Sequence, residues 1–188
     1  DALEAFYFNG SGSIGPVIHV DNFGNNALGA GPIRTNQFVT TVTGWSLREF
    51  KLARTCSGPT CSALKLLPVT NKNNAFGGLF DPASTLPAAG SFQTFFPTQV
   101  SKLVGPSVTS FDIDTPDVYN TGQSQASGTT AAEMRYATQL GTSPGPLYNG
   151  IQAQLTTLGS TLTPAEVALR AQALSCAGCH RLNNNVAV

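Results

Sequence analysis

Near the carboxyl end of the chain stand Cys176, Ala177, Gly178, Cys179 and His180. Two thiols three residues apart, followed at once by an imidazole, can do three kinds of chemistry. They can close a disulfide and exchange electrons as a dithiol couple, or supply thiolate and imidazole ligands to a metal ion. They can also bond to a porphyrin, the thiols reaching its two vinyl groups while the imidazole takes an axial position on the iron. With four Cys and two His in 188 residues, a random ordering would produce C-x-x-C-H about once in a thousand trials. The string therefore demands a chemical reason, and haem attachment is the leading one.

For both thiols to reach one ring they must sit on a helical turn, and the preceding sequence builds a helix. Thr163-Pro164-Ala165-Glu166 combines an N-cap, a proline at the first helical position and a glutamate three residues beyond the cap. This predicts a helix from Pro164 into Cys176, with Val167, Ala171 and Leu174 packed on protein and the last turn carrying the thiols. Upstream, Leu147, Ile151, Leu155 and Leu158 recur at helical spacing. Thr130 three before Glu133 opens another helix through about Leu140, stopped by Ser143-Pro144-Gly145-Pro146. Phe92, Phe95, Phe96, Val100 and Leu103 lie near one face of a further candidate helix from Ser91 to Val104, opposed by Pro97 unless the helix kinks or begins near that residue.

The first 115 residues read as short extended segments between turns. These are Phe6 to Phe8 before Asn9-Gly10, Pro16 to Val20, Phe38 to Thr43 and Trp45 to Leu52 flanking Gly44, Leu64 to Val69, and Val108 to Ile113. The expected fold class is α+β. A β-rich part over residues 1–120, an antiparallel sheet or sandwich, is followed over 129–188 by two or three helices, the last carrying the attachment motif.

The segment Leu162 to Leu182, with its Leu-Thr-Pro-Ala-Glu start, apolar helix and Ser175-Cys-Ala-Gly-Cys-His180-Arg-Leu182 end, resembles the first helix and attachment site of a class I c-type cytochrome domain. The resemblance covers about 20 of the 188 residues. It implies haem c as cofactor, thioethers at Cys176 and Cys179, and His180 as proximal iron ligand. Such domains continue for many tens of residues to a later Met or His ligand and a closing helix, whereas this chain stops eight residues after His180. Either it is the amino-terminal piece of a longer haem protein, cut near Asn183-Asn184-Asn185, or the preceding sequence builds the pocket. In the second case His19, the only other histidine, and Met134, the only methionine, are the candidate distal ligands. His19 is expected in a strand beside Val17, where a half-buried sheet histidine is the plainer role; Met134 is more simply helix packing.

The cysteines form two local pairs, Cys56 with Cys61 and Cys176 with Cys179, as in an oxidising compartment. The chain opens at Asp1, with Met134 far inside it, which points to processing, most simply of an export signal. Periplasmic or extracellular location follows from both. Cys56 and Cys61 are then a disulfide closing a Gly-Pro turn; a four-thiolate zinc site is the alternative. No stretch reaches the ~20 apolar residues of a membrane span.

Charge is scarce, with ten basic and ten acidic residues making up 11% of the chain and a pI near 6.9. Nucleic acid is set aside for want of a basic stripe. A diffusing electron shuttle steers by a patch of one sign, and none is visible here. Low charge fits a protein held in an assembly, an oligomer or larger complex, whose partners are neighbouring subunits or a redox protein. Asp112, Asp114 and Asp117 could face calcium, but lack the glycine and distant glutamate of an EF-hand, so turn and capping roles are preferred. Trp45 is core by default, or lines a haem or partner surface. The function expected is electron transfer by an exported c-type haem protein. The alternatives are a haem enzyme with an open distal side, acting on peroxide or oxygen, and a cofactor-free, disulfide-linked structural module.

Overall fold

The computed structural model describes residues 1–19, 30–39, 44–53, 56–57, 60–61, 65–125, 134–142 and 144–183. In chain order its regular elements are α1 (Ala2–Asn9), β1 (Ala30–Val39), β2 (Gly44–Ala53), β3 (Cys56–Ser57), β4 (Thr60–Cys61), β5 (Lys65–Val69), α2 (Ala89–Phe95), β6 (Ser124–Gln125), α3 (Tyr136–Leu140), α4 (Pro146–Thr157), α5 (Pro164–Leu174) and α6 (Cys176–Asn183). The fold is α+β, with an antiparallel sheet of four strands ahead of the main run of helices. Residues 1–35 with 49–69 form one compact unit, and 36–48 with 70–188 a second.

In the first unit, α1 stands where a strand was expected. Asp1 Oδ1 accepts the Glu4 backbone N–H at 3.0 Å, so the first turn is capped and the extended preference of Phe6-Tyr7-Phe8 is overridden. Asn9-Gly10 ends this helix instead of turning a hairpin. Gly10 has φ +78°, and a Cβ there would overlap the Ile14 carbonyl. The Ile18 N–H donates to the Tyr7 carbonyl at 3.0 Å, and residues 16–19 are irregular and not the predicted strand, of which residue 20 lies outside the described residues.

Strands run in the order β1-β2-β5, with β6 also paired to β2. β5 pairs with residues 49–53 of β2, Phe50 opposite Pro68, and a proline is tolerated there because β5 lies at the sheet edge. β6 pairs antiparallel at Ser46 and Leu47. The predicted Phe38–Thr43 strand is the end of β1, which begins earlier, at Ala30; residues 40–43 lie outside the described residues. β3 and β4 form a separate antiparallel pair with Cys56 opposite Cys61.

The second unit holds the main core. Phe80, Phe92 and Phe96 are fully buried, and Phe80 meets each of the other two edge to face with ring centroids 4.9 Å apart. Phe80 also stacks on Tyr136 at 4.3 Å. Pairs of this kind add about 0.5–1.5 kcal/mol beyond their buried area. α2 converts at Phe96 into a 3₁₀ helix ending at Lys102, with Pro97 in its first turn, where the missing N–H is not needed. Val108 to Ile113 is not the expected strand. It forms a 3₁₀ turn over Val108–Ser110, because the Ser110 hydroxyl donates to the Ser107 carbonyl and also accepts the Ser107 N–H.

α3 begins at Tyr136, so the helix expected from Thr130 is shorter, and the Thr130–Glu133 pair lies outside the described residues. α4 starts on Pro146 and buries Leu147, Ile151 and Leu155, while Leu158 caps it in an exposed position. α5 has the predicted start. Thr163 accepts the Glu166 N–H, and the Thr163 N–H donates to Glu166 Oε2 at 2.7 Å. The Thr163 backbone N–H and hydroxyl hold the Glu166 carboxyl below its usual range. Their stabilisation is therefore present above the ordinary carboxylate pKa and lost as pH falls through the lowered one.

Burial raises the phenol pKa of Tyr136 above its ordinary value. A raised folded-state pKa gives a contribution complete below the unfolded value, about 10, and lost as pH climbs above it. Tyr136→Phe should therefore flatten the alkaline loss of stability in denaturant unfolding followed from neutral pH to about pH 11. It should also cost about 1–3 kcal/mol at neutral pH, because the Ala75 carbonyl loses a donor now 2.8 Å away. Phe80→Ala should cost about 3–5 kcal/mol in the same measurement.

Candidate functional site

The attachment motif begins a helix of its own. α5 stops at Leu174 because Ser175 is extended, with φ −72° and ψ 155°. Its hydroxyl donates to the Gln172 carbonyl at 2.7 Å and accepts the Gly178 N–H at 3.1 Å. Ser175 thus ends one helix and caps the next, and α6 starts at Cys176. The expectation that one helix runs from Pro164 into Cys176 is corrected by this serine, whose side chain competes with the continuing backbone.

At 3.6 residues per turn, Cys176, Cys179 and His180 fall within about 100° of arc on α6, with Gly178 on the opposite side. Gly178 is buried against α5, and a Cβ at this position would overlap the Gln172 carbonyl oxygen. Glycine therefore permits the close crossing of α5 and α6. Cys176 is half-buried, Cys179 is exposed, and both are thiols. His180 is half-buried, with its ring edge-to-face against Trp45, centroids 5.3 Å apart.

A buried cluster of Trp45, Leu47, Met134 and Ala177 supports this helix, with Cys176 packed on its margin. The register of β2 and β6 places Leu47 opposite Ser124. The Ser124 hydroxyl accepts the Ala177 N–H at 2.9 Å and donates toward Met134 Sδ at 3.8 Å, while Asn74 Nδ2 donates to the same sulfur at 3.5 Å. One serine therefore ties a thioether to the first turn of α6. Gln172 Oε1 accepts the Tyr136 N–H at 3.0 Å and joins α3 to α5.

The structure packs Cys176 against the cluster that holds Met134 and Trp45 and sets His180 against Trp45, while Cys179 stands exposed on the same turn of α6. Met134 is 3% exposed, and its sulfur is engaged by two protein donors. Iron ligation would require it to give up those partners. His19 belongs to the other compact unit, half-buried in an irregular segment and not in the predicted strand. Ser124, Asn74 and Ser175 were not visible as site residues. Ser124 lies in a stretch that reads as a polar loop, and its partner 53 residues on gives it a role; Ser175 reads as part of a continuing helix, and its bonds to Gln172 and Gly178 end that helix. Asp117 accepts a hydrogen bond from Thr70 Oγ1 at 3.2 Å, and among the described residues no three His, Cys, Asp or Glu side chains converge as a metal site. Among those residues no helix is long and apolar enough to cross a membrane.

The donor set fits a covalently held haem on chemical grounds: two thiols and an adjacent imidazole within one turn of α6, with apolar side chains beside Cys176 and His180. Comparison with protein-family models, curated proteins and solved structures finds no match to this chain.

Gly178→Ala should force α6 away from α5 and cost about 1–3 kcal/mol, read as a lowered midpoint in denaturant unfolding. Ser124→Ala leaves the Ala177 N–H and the Met134 sulfur without a common partner. It should increase amide exchange at Ala177 to Cys179 more than in α4.

Proposed function

We propose that the chain is a c-type haem protein that transfers electrons, with Cys176 and Cys179 holding the porphyrin through thioethers and His180 as an axial ligand. The observation that carries this reading is the division of α6 into two faces. One is closed on α5 at Gly178, and Cys176, Cys179 and His180 follow within one turn on the other, Cys176 half-buried, Cys179 exposed and His180 set against Trp45. When bound, haem supplies one-electron chemistry at its iron. The protein contributes a helix anchored by Ser175 and Ser124, and a buried apolar flank of Trp45, Leu47 and Met134 that keeps water from one side.

The low charge, 11% of residues, supports work inside an assembly, with partners that are neighbouring subunits or a redox protein. Covalent haem attachment and the paired cysteines support a periplasmic or extracellular location. The backbone register of Cys56 and Cys61 supports a disulfide across the β3–β4 pair.

A second reading is favoured by the position of Cys176 at the head of α6, because a helix amino terminus stabilises thiolate and suits a dithiol couple. Intact mass separates the two. One porphyrin added to the chain, with haem stain surviving denaturing electrophoresis and lost in Cys176→Ala/Cys179→Ala, is expected. A porphyrin-free chain two hydrogens lighter at this pair, reversibly reduced at a defined midpoint potential, would support the dithiol couple instead.

Met134→Leu should leave the reduced and oxidised spectra unchanged, since its thioether is committed to Asn74 and Ser124. Loss of the low-spin spectrum in that variant would make Met134 the sixth ligand, and its loss in His19→Ala would assign the position to His19. Carbon monoxide binding by the reduced parent would mark the open distal side of an enzyme.

A further inference from the structure

We propose that Trp45 is a positioning residue for His180, fixing the plane of the imidazole that holds the haem iron; this rests on the haem reading above. Trp45 is the only tryptophan in the chain and is 8% exposed on β2. Its indole meets the His180 ring at an interplanar angle of 87° with centroids 5.3 Å apart. Such an edge-to-face pair prefers its own geometry and resists rotation of either ring. The indole is itself held at its polar end, where Nε1–H donates to Asn36 Oδ1. Its body is packed with Leu47, Met134 and Ala177.

The imidazole therefore has a fixed neighbour on a strand in addition to its tether on α6. The orientation of an axial ligand and the dielectric around it are two means by which a protein sets the electronic state of haem iron. Trp45 contributes to both. It limits the rotation of the ring and covers its flank with apolar surface.

The test uses the full haem-bearing chain and the variants Trp45→Phe, Trp45→Leu and Asn36→Leu. Intact mass is measured first, then the midpoint potential, and then the hyperfine-shifted His180 ring resonances. The parent should give one set of ring resonances. Trp45→Leu should split or broaden them and lower the potential, because water then approaches the iron and favours the oxidised, more highly charged state. Trp45→Phe should restore a single set and most of the potential. Asn36 is exposed, so Asn36→Leu should leave the fold intact while releasing the indole, and it decides the matter if Trp45→Leu does not fold. Unchanged resonances and potential in haem-bearing Trp45→Leu, or in Asn36→Leu where the former does not fold, would overturn the proposal alone. A parent without porphyrin mass would overturn the haem reading and this inference with it.

Discussion

The close crossing of α5 and α6 is the constraint on which the site depends. Ser175 breaks the backbone between them, Gly178 lets the second helix lie against the Gln172 carbonyl, and the remaining α6 face is left for sulfur and imidazole. A side chain at Gly178 would push this face away from Trp45 and Ser124 together. The spacer residues of C-x-x-C-H therefore contribute as much to the geometry as the three residues that could bond a cofactor.

Around this crossing the second unit is layered. A phenylalanine-rich core, centred on Phe80, stacks on Tyr136. Tyr136 is joined through its backbone to Gln172, and Gln172 through its carbonyl to Ser175. The stability of the aromatic core is thus transmitted to the start of α6 through two buried polar side chains. Satisfied buried hydrogen bonds of this kind are costly to break one at a time, which makes a core an effective support for a site at its edge.

What is legible in the sequence depends on whether a local cause stands alone, competes with another local preference, or acts between residues far apart in the chain. The α5 start was legible because Thr163, Pro164 and Glu166 act within one turn, and β5 because its apolar run pairs as an ordinary edge strand. α1 is a helix in place of the expected strand because the cap between Asp1 and Glu4, three residues apart, outweighs the β propensity of the aromatic run. Val108 to Ile113 departs from the expected strand because the Ser110 hydroxyl bonds both the N–H and the carbonyl of Ser107 in a local turn. His19 was given a strand it does not have, and Trp45 could be read as core or site because its contact with His180 spans 135 residues of chain.

The sequence by itself determined the chemistry available, two thiols and an imidazole at fixed spacing, since covalent order sets which groups are near each other on one turn. It also determined the α+β class, through apolar periodicity and local caps. Only the tertiary structure decided that the motif heads its own helix, that Met134 is committed to Asn74 and Ser124, and that Trp45 stands against His180. The last two arise from burial and hydrogen bonding between residues distant in the chain, whose energies no local pattern records. The first arises at Ser175, where three-residue side-chain bonds compete with a helix that the same stretch could continue.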